Sequence, residues 1–365
     1  MKRIKGKMKV AFVLPPPMFK IAGGYKVVYQ YANYLAEKGL DVTIFYDTRK
    51  GDNSFYCPRR LMFWIRKMIA IREPSWMKLN RNVKKIVLWD EKGCSEYKVD
   101  VLILTSIDIV KKFFPLYWER SRIVHFVQGH ENWFLSDEEV YRIYRLPCNK
   151  IIVSDWVADI VKKYANGEVS VIKNGIDLQK FYSINRWLDR KRFSISMMYS
   201  SSPQKNSKLA LSVITELKEI IPELAVTIFS VEKRTEIIPK WVDYHYLADE
   251  HELLEIYNSS QIYLCTSNFE GFGLSGLEAM ACGCVLVSTD CIGVREYACD
   301  GNDALICPVG DKDSLKQAVL KIFNDEKIGR NLAQNAIKKA KEFDLEKKQE
   351  NFFRRIKQIY KLDTE

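Results

Sequence analysis

Two runs of alternating strand and helix patterns, separated by one aperiodic stretch, restrict the fold of this chain more than any other feature of it. "KVAFVL" precedes a glycine loop and "GGYKVVYQYANYLAEKG", where Val27, Val28, Tyr31 and Leu35 recur at helical spacing and Gly39 closes the helix. "DVTIFY", "VDVLILTS", "RIVHFVQ" and "KIIVSDWVADIVKKYA" continue the rhythm. It restarts at "FSISMMY" and runs through "AVTIFS", "IYLCTS" and "CVLVSTD", with helices expected over 208–221 and 250–259. Short apolar strands separated by helices predict parallel sheets covered on both faces. The stretch between the series, "NGIDLQKFYSINRWLDRKR", is polar, charged and without period. The reading is therefore two Rossmann-like α/β domains, 1–177 and 193–344, joined by a linker at 178–192. A closing amphipathic helix, counted with the first domain, covers 345–365. A length of 365 residues supports two cores rather than one. Ligands of such sheets bind outside the carboxyl ends of the strands, so a cleft between the domains is expected.

Composition excludes little beyond this. Hydrophobic residues at 47% and charged residues at 28% describe a globular chain, and a net charge of +11 suits phosphorylated substrates or an anionic surface. A nucleic-acid partner would rest on charge alone, and none is expected. The basic head of "MKRIKGKMKVAFVLPPP" resembles a signal peptide, but Lys9 and the three prolines break its apolar run. No stretch reaches the ~18 apolar residues of a membrane span. The nine cysteines contain no C-x₂-C pair and no histidine lies within the group from Cys282 to Cys307, so reduced, mostly buried thiols and a cytoplasmic compartment are expected, with no metal.

"SNFEGFGLSGLEAMACGC" carries two overlapping signatures. Gly271, Gly273 and Gly276 spell G-x-G-x-x-G, and Asp290 falls roughly 20 residues after the first glycine, as in a dinucleotide-binding turn. Against an NAD-dependent oxidoreductase stand the short helix, the late position of the motif, and Glu270 beside the pyrophosphate. "GLSG" misses the nucleophile elbow of a serine hydrolase by one residue. The second signature pairs Glu270 with Glu278, two acids too far apart along a helix for glycosidase partners.

"FEGFGLSGLEAMACGC" resembles the Glu-x₇-Glu signature of glycosyltransferase family 4, whose members are retaining, nucleotide-sugar-dependent enzymes of the GT-B fold. Gly23-Gly24 is similar to the family's glycine loop on the acceptor side, and "VIKNGIDLQKF" to the segment that closes its first domain. "LADEHELLEIYNSSQIYLCTS", which begins at Leu247, and "GVREYACDGNDALICPVGDKDSL" resemble the flanks of the motif. The resemblance implies transfer of a sugar from a nucleotide diphosphate sugar to a glycan or lipid-linked acceptor, in cell-surface polysaccharide or glycoconjugate biosynthesis, with no cofactor. Backbone amides of Phe272, Gly273, Leu274 and Ser275 would meet the diphosphate at a helix N-terminus. Glu278 would accept the ribose hydroxyls, and Glu270 would face the donor sugar and the charge developing at its anomeric carbon. Leu247 is expected at the donor.

The chain departs from that family twice. The basic pair that neutralises the departing diphosphate is reduced to Lys205, with Tyr199 or Ser200 where its arginine belongs. Arg192 and Lys208 are the candidate substitutes. Where the family often has a donor-contacting histidine, this chain reads Gln128-Gly129-His130; Gln128 takes that place and His130 is a second candidate, while His125 reads as core. A degenerate, non-catalytic sugar-nucleotide-binding protein is the non-enzyme alternative. "DKD" at Asp311–Asp313 opens a helix and reads as a cap rather than a metal site.

Residues 59–76, "RRLMFWIRKMIAIREPSW", mix five basic residues with large apolar ones. One reading is a helix packed on the first sheet. The other is a surface helix whose aromatic residues insert into an anionic membrane at its inner face while cations meet lipid phosphates.

Overall fold

The structure, a computed structural model, describes residues 7–18, 21–47, 59–118, 122–132 and 135–361. The chain folds into two units, 1–173 with 348–365, and 174–347.

The first unit contains β1 (Lys9–Leu14), α1 (Gly23–Glu37), β2 (Asp41–Asp47), α2 (Arg59–Arg72), β3 (Val83–Leu88), β4 (Val101–Leu104), α3 (Ile107–Tyr117), β5 (Arg122–Val127), α4 (Asp137–Tyr144), β6 (Asn149–Ile152), α5 (Asp155–Lys162) and β7 (Val169–Val171). Its strands form one parallel sheet in the order β3-β2-β1-β4-β5-β6-β7. β1 and β4 are buried along almost their whole length, as expected where helices cover both faces. The fully buried Lys150 of β6 donates to the carbonyls of Leu146, Cys148 and Asn166 at 2.9, 2.9 and 3.0 Å, which satisfies all three of its protons.

The second unit contains β8 (Ser194–Met198), α6 (Ser207–Ile220), β9 (Ala225–Ser230), β10 (Asp243–Tyr246), α7 (Glu250–Ser259), β11 (Ile262–Cys265), α8 (Leu274–Ala281), β12 (Val285–Thr289), β13 (Ala304–Cys307), α9 (Lys312–Asn324) and α10 (Glu326–Ala340). Its parallel sheet runs β10-β9-β8-β11-β12-β13. Strand order therefore reverses between β1 and β4 in one unit and between β8 and β11 in the other. The last helix, α11 (Leu345–Lys361), enters the first unit from Lys348 onward, and Phe352 stacks there on Tyr31 at 4.1 Å between ring centres.

The stretch 178–192 belongs to the second unit. Trp187 is buried and donates its indole N–H to the Gln261 carbonyl at 2.9 Å, and Gly329 of α10 lies against its ring. The Arg190 guanidinium donates to the carbonyls of Tyr257, Ser260, Asn185 and Cys282. Single large anchors, rather than periodic apolar residues, hold it. Among the described residues no helix is long and apolar enough to cross a membrane.

Candidate active site

The loops that follow β8 and β11 are the two that flank the strand-order reversal of the second sheet, where open α/β sheets hold their ligands. Four hydrogen bonds lace them together. The Asn268 N–H donates to the Gln204 carbonyl at 2.8 Å, and the Asn268 amide group to the Pro203 carbonyl at 3.1 Å. The Asn206 amide group donates to Asn268 Oδ1 at 3.0 Å, and the Thr266 hydroxyl to the Asn206 carbonyl at 3.0 Å. Asn206 caps α6 with a left-handed backbone (φ 46°), a conformation asparagine tolerates better than most residues.

This lacing aims Lys205 at Glu270. Lys205 Nζ lies 2.6 Å from Glu270 Oε1, and the Ser267 hydroxyl donates to the same oxygen at 2.7 Å. Burial works to lower the ammonium pKa, but the charge and hydrogen bond of Glu270 outweigh it and raise the pKa above the ordinary lysine value. The Glu270 N–H donates to the Cys291 carbonyl at 3.0 Å, which fixes the carboxylate from behind. Ser267 carries no motif of its own, although its position three residues before Glu270 is a turn spacing.

Past Glu270 the chain turns into α8. Gly273 sits at φ +92° and offers no side chain to cap the first amides of the helix. The Tyr297 hydroxyl donates to the Gly273 carbonyl at 2.9 Å and occupies the space a Cβ on Gly276 would enter. Gly276 is thus explained by tyrosine packing within the protein. Phe272 is buried against Tyr297 and Phe343. Leu274 and Ser275 are half-buried in the first turn. Glu278 is buried one turn further on, close enough to act electrostatically on Tyr257 and Tyr263.

The remaining candidates fall as follows. Asp290, the acid at the dinucleotide spacing, is held by Arg295 through two contacts of 2.7 Å. Tyr199 is buried, and Ser200 and Ser201 donate to Glu232 at 3.1 Å. Arg192 is exposed on the Phe193 ring, and Lys208 is exposed in the first turn of α6. Leu247 is 42% exposed with φ 58°. Asp311 caps α9, accepting from the Ser314 N–H at 3.0 Å.

In the first unit, Gly23 and Gly24 open α1, and the Gln128 amide lies over Gly24, 3.3 Å from where a Cβ would stand. His130 is buried; Nδ1 is 3.2 Å from the Tyr144 hydroxyl, and its ring stacks near Tyr141. His125 is fully buried in β5. The candidates therefore form two groups, one of Lys205, Glu270 and 272–278 in the second unit, the other of Gly24 and Gln128 in the first. Among the described residues no group of three or more acidic, histidine or cysteine side chains is placed to hold a metal ion.

Residues 188–343 match the family described as glycosyl transferases group 1. Over 100 residues the chain is 34% identical to N,N'-diacetylbacillosaminyl-diphospho-undecaprenol alpha-1,3-N-acetylgalactosaminyltransferase of Campylobacter jejuni, a match that spans 27% of each chain. Sucrose-phosphate synthase from Thermosynechococcus elongatus superposes over 97% of this chain and 99% of its own, with a TM-score of 0.78 at 15% identity. HepE from Anabaena, solved in complex with UDP and glucose, covers 96% of this chain and 100% of its own, with a TM-score of 0.72 at 13% identity. Both solved structures share the fold.

Proposed function

We propose, from a second unit that belongs to the glycosyl transferases group 1 family, that this chain moves a sugar from a nucleotide diphosphate sugar to a glycan or lipid-linked acceptor with retained configuration. The observation that carries the reading is the Lys205–Glu270 pair at the strand-order reversal, beside the N-terminus of α8, which no side chain caps. A diphosphate seated on the first amides of α8 meets the positive end of the helix and competes with Glu270 for Lys205. Lys205 then neutralises the departing diphosphate, and Glu270 is released toward the donor sugar. Glu278 accepts the ribose hydroxyls.

In this scheme the bond between the anomeric carbon and the phosphate oxygen breaks as the acceptor oxygen attacks from the same face. The acceptor's proton passes to the departing phosphate. Charge neutralisation by Lys205 and the helix end is the reason for proposing metal-independent transfer. The UDP and glucose held by HepE support a uridine diphosphate sugar as the first donor to try. A panel of nucleotide sugars, read by release of free nucleoside diphosphate, tests the reading; turnover of none of them, with or without glycan acceptors, counts against it.

Helix α2 supports a membrane-facing acceptor. Leu61, Trp64, Ile65, Met68 and Ile71 are 52%, 58%, 40%, 55% and 64% exposed and follow one another at helical spacing, while Ala70 and Arg66 are buried. Arg60, Lys67 and Arg72 are exposed beside them, and the helix has no acidic residue. We propose that this stripe rests on an anionic membrane from the cytoplasmic side, which suits a lipid-linked acceptor such as the one named for the Campylobacter relative. Wild type should sediment with anionic vesicles at low salt, and a Trp64→Ser, Lys67→Glu variant should not; equal sedimentation of the two overturns the proposal.

A further inference from the structure

One residue beside Glu270 breaks a backbone rule, and its own packing does not offset the cost. Ile292 lies just past the carboxyl end of β12, at φ 61° and ψ −59°. The Cys291 carbonyl accepts the Gly293 N–H at 2.7 Å and closes a γ-turn around Ile292, of the rare and strained form. A β-branched residue at positive φ is an outlier, because its Cβ crowds the backbone that follows. Glycine takes such a turn without that strain. The turn itself is set by Glu270. The Cys291 carbonyl accepts the Glu270 N–H as well, and Glu270 pairs with Ile292 as one rung of a parallel sheet. A Cβ on Gly293 would stand 2.6 Å from the Glu270 carbonyl oxygen. The course of the backbone is thus explained, but the isoleucine side chain is not. Cys291 and Val294 are buried in the core of the second unit, whereas Ile292 is 43% exposed.

Among the described residues three other non-glycine residues have positive φ. Phe193 is anchored on the Phe323 ring, and Asn206 is of a type that tolerates this backbone. Leu247 resembles Ile292: an exposed aliphatic residue just past the carboxyl end of a strand, β10. Both stand on the side of the sheet where open α/β folds hold their ligands. Backbone strain of this kind collects at functional sites. The side chains near Ile292 in the chain and in the sheet are polar and already paired, Glu270 with Lys205 and Ser267, and Asp290 with Arg295. Ile292 therefore adds an isolated apolar surface to a polar rim, beside Glu270.

We propose that Ile292 is a specificity-determining residue of the donor-sugar subsite, an apolar wall that selects an N-acetylhexosamine donor over the plain hexose. This rests on the transfer reading, in which Glu270 faces the donor sugar. The acetamido methyl group packs on the Ile292 side chain and leaves water. A hydroxyl in the same place would lose its water against the isoleucine and find no partner there. One methyl group in an apolar subsite discriminates by about 10–200-fold. The strained turn keeps the side chain at the rim, because the rung to Glu270 and the fit of Gly293 leave Ile292 no other course.

The test compares the full-length wild type with Ile292→Gly, Ile292→Asn and Ile292→Val on matched donors, each N-acetylhexosamine beside its plain hexose on the same nucleoside diphosphate. Wild type should favour the N-acetylated donor by at least ~10-fold in kcat/KM. Ile292→Gly removes the side chain and Ile292→Asn makes it polar while tolerating the backbone; both should bring the ratio within about threefold of unity. Ile292→Val keeps a β-branched apolar surface and should keep the preference. Nucleoside diphosphate affinity, measured by calorimetry, should stay within about threefold in all four proteins. A wild type that prefers the plain hexose overturns the proposal. So does a ratio that survives both Gly and Asn, including a uniform loss of rate on every donor, which would make Ile292 a packing residue. The transfer reading stands or falls separately, on wild type alone: if it neither binds nor turns over any nucleotide sugar, that reading fails and takes this proposal with it.

Discussion

The Tyr297 hydroxyl and the Gly273 carbonyl are joined by a hydrogen bond of 2.9 Å that pins the one left-handed residue at the entrance to α8. If the diphosphate sits on the amides beyond Gly273, this tyrosine sets their direction. Tyr297→Phe should therefore weaken nucleoside diphosphate binding by ~1 kcal/mol, the net worth of one hydrogen bond. Gly276→Ala, which must push the hydroxyl aside, should cost ~1–3 kcal/mol in stability and more in binding. Titration calorimetry beside thermal melting separates the two effects. Unchanged affinity in both variants would detach the turn from the ligand.

Lys205→Ala tests the cation at the departing phosphate. Glu270 keeps its bond from Ser267 and remains partly exposed, so unfolding free energy should fall by ~1 kcal/mol or less. Loss of leaving-group stabilisation should lower kcat/KM by about 100-fold or more. The reverse pattern, a lowered melting temperature with intact kcat/KM, would make Lys205 a packing residue.

Acid should destabilise the first unit through His125. Burial, then the charge of Lys150, lowers its imidazole pKa to about 3. The unfolded chain takes up this proton near pH 6.5 and the folded chain does not. Stability is thus fully present above that value and is lost as pH falls toward 3, by ~1.4 kcal/mol per unit of separation. His125→Phe should flatten the dependence of melting temperature on pH between 6.5 and 4. A slope identical to wild type would mean the histidine is protonated in the fold.

Gly329→Ala should destabilise the second unit by ~1–3 kcal/mol, because the new methyl group collides with the Trp187 ring. Denaturant unfolding measures this. No loss would show that the segment around Trp187 is free to move.

The alternation of strands and helices was plain in the chain because the central strands of a parallel sheet are apolar on both faces; "KVAFVL" and "DVTIFY" correspond to β1 and β2. The stretch 178–192 could not be read in that way. Trp187 and Arg190 bind it through single contacts to carbonyls distant in sequence, and such contacts leave no periodicity. Helix α2 was visible, but which of its faces met the sheet was not; its large apolar residues point outward. In the site, Glu270 and Glu278 stood out by spacing. Their supports did not, because Lys205 reaches Glu270 across 65 residues and Tyr297 reaches Gly273 across 24. Those distances close only when β8 meets β11 and β11 meets β12 in the sheet.

Glu270→Gln gives the most direct measurement, because it preserves shape and removes only the charge assigned to the donor sugar. Nucleoside diphosphate affinity and nucleoside diphosphate release from a donor sugar should be measured on the same preparations of wild type and variant. The account predicts affinity within about threefold and release reduced by about 100-fold or more, the scale of lost transition-state stabilisation. Release within about tenfold of wild type, with affinity unchanged, would contradict it.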